Sequence, residues 1–347
     1  IYLYKNIFLI MSSSIRVLSQ NDINKLLAVG DSKAALEMVD LMATTFAAYT
    51  GAHGDAEKQK RAQAPQRIGV ETDSHKVLFM PSRLNTTTSI KVVSVPLGDS
   101  KGGLPGTILV LDEATGGLST VMNGAVLTAV RTAAGSAVAT KYYAKEDAKT
   151  LLVLGAGAQG RSHIDMMVAV RPTIEKVTIW NRGQERRDKL VREIQAAYPK
   201  LTVYGVGNEG DGLASAARDA DIVCTCTNAT EPILHGEWLK SDVHLNCVGS
   251  YRLDMHEIDA QCVKQTEKIL VDSIEACTHE SGELVASSSP KNWIEMGQVI
   301  NENQDTKADQ TKRTLFKSVG ISVQDSAIAG LMAKRGVESN LGSVVPY

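Results

Sequence analysis

The chain has 347 residues, long enough for two domains, with 37 Lys and Arg against 39 Asp and Glu. A formal net charge of −2 leaves no overall field to gather nucleic-acid phosphates or acidic lipid, which excludes general nucleic-acid binding and a membrane-surface role. Hydrophobic residues make up 43% but aromatics only 5%, so the core is aliphatic, as in parallel strands buried under helices. The five Cys are odd in number and never spaced C-x-x-C, which fits a reducing, cytoplasmic compartment and no metal site.

Residues 1–10 are apolar but too short to span a bilayer, and they precede Met11-Ser-Ser-Ser. Met11 is expected as the natural start, with 1–10 a non-native or disordered extension. Apolar positions at helical spacing run from Gln20 to about Tyr49, and 51–63 reads as a polar loop. Strands are expected at 67–71, 76–80, 89–95 and 107–112, with 113–117 a hairpin loop. A long Ala-rich helix then covers about 123–144.

Beyond Ala148 strands and helices alternate, the pattern of a parallel sheet. Strands are expected at 150–154, 176–180, 201–205, 221–225, 244–248 and 268–272, with the clearest helix at 184–198. The charged stretch 301–312 reads as a solvated loop or helix face, and 320–334 as a closing helix.

The strongest local signal is Leu151-Leu-Val-Leu-Gly155-Ala-Gly157-Ala158-Gln159-Gly160, a buried strand feeding G-x-G-x-x-G at a helix start. Gly155 permits the tight turn, Gly157 lets the backbone approach a pyrophosphate, and Gly160 lets helix and strand pack closely. At the end of the second strand, where NAD enzymes place an acid, stands Trp180-Asn181-Arg182-Gly183. Arg182 can pair with a 2′-phosphate, which favours NADPH with NADH as the weaker alternative; an Arg facing water in a solvated turn is the bland reading. Thr225 and Thr227 end the fourth strand at the sheet edge where dinucleotides bind and are expected as further contacts. Cys224 and Cys226 read as small core residues and His244 as a satisfied core histidine.

Three basic residues lie in apolar or strand contexts: Arg67, Lys91 and Arg131. The residues alone leave each open between a structural role and a ligand role, because a strand Lys often carries its charge out to solvent.

The segments Ile90-Lys-Val-Val-Ser-Val-Pro, Gly103-Leu-Pro, Leu127-Thr-Ala-Val-Arg-Thr-Ala-Ala-Gly-Ser-Ala-Val-Ala-Thr-Lys141, 155–160, Val177-Thr-Ile-Trp-Asn-Arg182, Ala229-Thr-Glu-Pro-Ile, Val248-Gly-Ser-Tyr-Arg-Leu-Asp-Met-His-Glu257 and Phe316-Lys-Ser-Val-Gly-Ile-Ser-Val-Gln-Asp325 resemble the ornithine cyclodeaminase/mu-crystallin family in content and order. The resemblance implies an α/β protein in which a Rossmann-type parallel-sheet domain, 146–317, is inserted in an α+β substrate-binding and dimerisation domain, 11–145 plus 318–347. It implies a homodimer. It also implies that Arg67 and Arg131 bind the substrate carboxylate, that Lys91 is the catalytic lysine and that Thr132 contacts the cofactor phosphates. Cyclodeaminases carry an Asp in a Gly-Gly-Asp loop where this chain has Gly249-Ser250-Tyr251, so Tyr251 enters as a substrate contact. The expected activity is therefore NAD(P)H-dependent reduction of small cyclic ketimine carboxylates, such as piperideine-2-carboxylate or pyrroline-2-carboxylate. The alternatives are an amino-acid dehydrogenase of the alanine type, an ornithine cyclodeaminase, and a non-catalytic NADPH-dependent small-ligand binding protein.

Overall fold

A computed structural model describes residues 14–28, 30–97 and 104–347; the expected extension 1–10 lies outside them. The first half runs β1 (Ser14–Leu18), α1 (Gln20–Leu27), α2 (Ser32–Gly51), α3 (Ala56–Gln59), β2 (Ala62–Gln63), β3 (Ile68–Glu71), β4 (His75–Leu84), β5 (Thr87–Pro96), β6 (Gly106–Leu111), β7 (Leu118–Asn123) and α4 (Gly124–Tyr143). The second continues with β8 (Thr150–Leu154), α5 (Ala158–Val170), β9 (Lys176–Trp180), α6 (Gln184–Ala197), β10 (Thr202–Val206), α7 (Gly212–Asp219), β11 (Ile222–Thr225) and β12 (His244–Cys247). It ends with α8 (Ala260–Lys264), β13 (Lys268–Val271), α9 (Ile274–Glu280), α10 (Gly282–Ser287), β14 (Trp293–Glu295), α11 (Met296–Asn301), β15 (Thr314–Lys317), α12 (Ser322–Glu338) and β16 (Ser343–Pro346).

Among the described residues these strands form two sheets. One is ordered β16-β1-β7-β6-β5-β4-β2, with β3 also on β4, and is antiparallel except where β1 runs parallel to β7. The other is parallel throughout, ordered β10-β9-β8-β11-β12-β15-β13-β14. From β8 the chain winds first outward through β9 and β10, then returns to β11 on the opposite side. This reversal opens a crevice at the carboxyl ends of β8 and β11, where an open α/β sheet binds its ligand.

The single expected helix over 20–49 is two helices, because the chain turns at Ala28 (φ 47°) and Gly30 (φ 95°), and Asp31 caps α2 through the Ala34 amide. The expected loop 51–63 contains α3 and β2. Strands β1, β7, β14, β15 and β16 were not legible locally, and β15 proves to lie between β12 and β13. The stretch 301–312 is mostly polar surface, but Asp309 is buried and ion-paired to Lys268 at 2.9 Å.

Two long helices join the sheets. The Ala-rich α4 is buried along nearly all its length, and Arg171 caps its end by donating to the carbonyls of Thr140, Lys141 and Ala144. Helix α12, reached from β15, returns to the antiparallel sheet. Ser82 donates to the Ser322 carbonyl at 2.7 Å, and the Ser326 hydroxyl lies 2.6 and 2.8 Å from those of Ser82 and Ser89.

Candidate functional site

The glycine-rich turn has the geometry of an anion cradle. Gly155 adopts φ 113°, and a Cβ there would come within 2.5 Å of the Cys226 carbonyl; a Cβ on Gly160 would strike the Gly155 carbonyl. A Cβ on Gly157 would instead meet nothing within 4 Å. Gly157 and Ala158 are exposed, and no side chain caps the start of α5, so its first amides face outward. The residues present thus fit a dinucleotide pyrophosphate.

Several expected contacts have other tasks. Asn181 accepts from the Ala156 amide at 3.1 Å and donates to the Gly183 carbonyl at 2.9 Å, so it pins the turn to the end of β9. The Thr132 hydroxyl donates back to Thr128 within its own helix. Gln159 keeps a buried amide oxygen without a partner, while Arg182 is exposed at the crevice rim. Thr225 requires a correction: it is fully buried and its hydroxyl donates to Glu257 at 2.7 Å, so it braces the loop instead of reaching outward. The half-buried Thr227 donates to the same carboxylate through both its amide and its hydroxyl.

The three basic residues converge. Lys91 on β5 is 2% exposed, with Nζ 2.7 Å from Asp325 Oδ2 in the first turn of α12. Arg131 on α4, 4% exposed, donates from Nε to Asp325 Oδ1 at 3.2 Å and from Nη1 to Gln324 Oε1 at 3.0 Å. One carboxylate therefore serves two cations, and its place in the first turn adds the favourable helix dipole. Burial opposes the Asp325 charge, but Lys91 and Arg131 outweigh it and hold the carboxyl below its usual range. Burial pushes Lys91 down to about 8, with Asp325 opposing and Arg131 reinforcing the shift.

Arg67, just before β3, donates to the carbonyls of Val319 and Gly320 at 3.1 and 3.2 Å and is ion-paired to Glu280. Gly320 separates the two arginines: its φ is 84°, and a Cβ there would lie 2.7 Å from Arg131 Nη1, so only glycine fits. A cleft opens beside Arg67 and is lined also by Tyr49, Met80, Ser273, Glu280 and Gly320. Met80 pairs with Lys91 across β4 and β5, and Tyr251 packs on Leu78, Met80 and Val95 of the same wall.

Asp325, Glu280 and Gly320 carry no local signature. Two histidines behave as core: His163 sits between Ser136 and the Gln159 carbonyl, and His244 meets Thr314 at 2.8 Å. Cys224 is fully buried, and burial pushes its thiol up to about 12. Among the described residues no helix is long and apolar enough to cross a membrane.

The ornithine cyclodeaminase/mu-crystallin family model matches residues 19–340. A delta(1)-pyrroline-2-carboxylate reductase of Bacillus cereus is 33% identical over 287 residues, 79% of this chain and 86% of the relative. A ketimine reductase mu-crystallin of Rattus norvegicus is 36% identical over 275 residues, 77% of this chain and 83% of the relative. Among solved structures, the Thermococcus litoralis delta(1)-pyrroline-2-carboxylate reductase in complex with NADH and L-proline superposes with a TM-score of 0.84 at 27% identity. That match covers 95% of this chain and 99% of the other.

Proposed function

The chain belongs to the ornithine cyclodeaminase/mu-crystallin family, and from that premise we propose that it reduces small cyclic imino carboxylates, of the pyrroline-2-carboxylate and piperideine-2-carboxylate kind, to cyclic amino acids. The observation that carries this reading is the buried Lys91–Asp325–Arg131 cluster, with Arg67 on the other side of Gly320 beside an open cleft. Two guanidinium forks suit a planar carboxylate, and a lysine with a pKa lowered to about 8 suits proton transfer near neutral pH.

Arg67 and Arg131 bind the substrate carboxylate, and Arg67 exchanges Glu280 for it. The carboxylate then fixes the imine carbon toward the crevice where β8 and β11 part. Lys91, oriented by Asp325, holds a proton at Nζ and gives it to the imine nitrogen as the carbon receives the hydride. Tyr251 and the apolar wall beneath it, Leu78, Met80 and Val95, exclude water from the ring. Gly155, Gly157, Ala158, Gln159 and Gly160 would hold a nicotinamide dinucleotide, which would supply that hydride. Arg182 makes NADPH the preferred form over NADH, and the active protein is a homodimer in the cytoplasm.

The test is cofactor oxidation by the purified protein against a panel of cyclic imino acids, with pyruvate plus ammonia and ornithine alongside. Turnover with cyclic imines well above the other two is expected. Turnover only with the open-chain keto acid and ammonia makes it an amino-acid dehydrogenase. Ammonia release from ornithine makes it a cyclodeaminase, and cofactor binding with no turnover makes it a binding protein.

A further inference from the structure

A second buried charge cluster lies under the dinucleotide crevice, built from Glu257, Glu283 and Lys317, none more than 1% exposed. Lys317 ends β15 and is ion-paired to Glu283 Oε1 at 2.7 Å, while Glu283 Oε2 accepts from the Glu257 amide at 3.2 Å. The Glu257 side chain does something different: it gathers four donors, from the end of β11, the loop that follows it and the loop after β12. Oε1 accepts from the Thr227 amide at 2.5 Å and the Thr227 hydroxyl at 2.8 Å. Oε2 accepts from the Thr225 hydroxyl and the Gly249 amide, both at 2.7 Å.

Those donors stand at the carboxyl ends of the adjacent strands β11 and β12, on either side of the place where a loop leaves each strand. The first loop presses on the glycine-rich turn, since the Cys226 carbonyl is the atom a Cβ on Gly155 would meet and the Cys226 amide donates to Leu154. The second loop carries Tyr251 to the wall beside Lys91. A Cβ on Gly249 would strike the Thr227 carbonyl and the Glu257 carboxylate together, so the loops approach as closely as backbone allows. Burial raises the pKa of Glu257, with Lys317 and the hydrogen bonds opposing, so a lysine that never reaches the crevice helps keep the acceptor ionised.

We propose that Glu257 is a positioning residue that sets the spacing between the loop walling the dinucleotide, 226–230, and the loop bearing Tyr251, 248–252. The carboxylate is the common joint through which cofactor placement and substrate placement are held in one register. This rests on the reductase reading for its kinetic consequence, but not for its structural one.

The experiment compares Glu257→Gln and Thr225→Val in the full chain. The Gln amide keeps the size of the carboxylate but turns one of its acceptors into a donor facing N–H or O–H groups; Thr225→Val keeps the shape and removes one donor. Amide hydrogen exchange should speed up at least tenfold in both 226–230 and 248–252 for Glu257→Gln, and NADH and NADPH affinity by fluorescence titration should fall at least fivefold. In turnover, kcat should fall more than KM, and Thr225→Val should add nothing in the Glu257→Gln background while costing severalfold alone. Unchanged exchange in either loop in a folded Glu257→Gln protein overturns the proposal, as does full additivity of the two substitutions in cofactor affinity. If Glu257→Gln fails to fold, Thr225→Val alone decides: unchanged exchange and affinity overturn it. A wild-type protein that turns over no imine refutes the reductase reading and leaves the exchange and affinity results to judge Glu257.

Discussion

Asp325 Oδ2 lies 2.7 Å from Lys91 Nζ, and both side chains are at most 2% exposed. The pair joins β5 to α12, and the Asp325 carboxylate opposes deprotonation of Lys91. If Lys91 delivers a proton, turnover falls as pH rises through about 8, the value to which burial has lowered it. Stability runs the other way: an unfolded lysine keeps its proton to a pH of about 10.4, so between about 8 and that value the unfolded chain binds more protons and stability rises with pH. Asp325→Asn removes the opposing charge, which should move the turnover midpoint below that of the wild type and lower stability by about 3–5 kcal/mol, the usual cost of breaking a buried pair. A pH–rate profile and a denaturant titration check the two effects separately.

Lys91→Met keeps the length and apolar stem while removing the charge, so cofactor affinity should stay within about twofold and turnover should fall about 10²–10⁴-fold, the range general acid catalysis supplies. Binding by fluorescence titration alongside steady-state kinetics separates the two. Equal loss in both would make Lys91 a structural cation whose role is to neutralise Asp325.

Gly157 and Gly160 belong to one motif but meet different surroundings. A Cβ on Gly157 enters open space, so Gly157→Val should unfold within about 0.5 kcal/mol of the wild type while dinucleotide affinity falls at least tenfold, because the branched side chain fills the cradle. A Cβ on Gly160 runs into the Gly155 carbonyl, so Gly160→Ala should lower stability by about 1–3 kcal/mol as well as affinity. Thermal unfolding without cofactor, followed by cofactor titration, distinguishes the two.

That turn was legible because every part of its signature lies within ten residues of chain, and the same locality made the α4 and α6 boundaries readable. What stayed hidden depends on partners far away in sequence. Strand β15 is four residues ending in a lysine, and Lys317 is tolerable inside a sheet because Glu283, 34 residues distant, pairs with it. Asp325 meets Arg131 across 194 residues, so neither flank announces its role. The break between α1 and α2 was missed because apolar spacing continues across a turn set by Ala28 and Gly30. Thr225 lay at the expected edge of the sheet, but which way its hydroxyl would be spent depended on Glu257, beyond the reach of any local pattern.

Arg182 is exposed at the end of β9, where Asn181 anchors the glycine-rich turn and leaves the neighbouring guanidinium free of any structural duty in that network. No acid stands in the Trp180-Asn181-Arg182-Gly183 segment to accept a ribose hydroxyl or repel a phosphate. A charge-assisted hydrogen bond to a 2′-phosphate is worth about 1.5–3 kcal/mol, which is roughly ten- to 150-fold in affinity. Arg182→Ala should therefore weaken NADPH by that factor and leave NADH within about twofold, with thermal unfolding unchanged because the side chain is solvated. Parallel titrations with both dinucleotides measure it. Equal weakening of the two would mean that Arg182 supports the turn instead of reading the phosphate, and the cofactor preference would then rest on other residues of the β9–α6 connection.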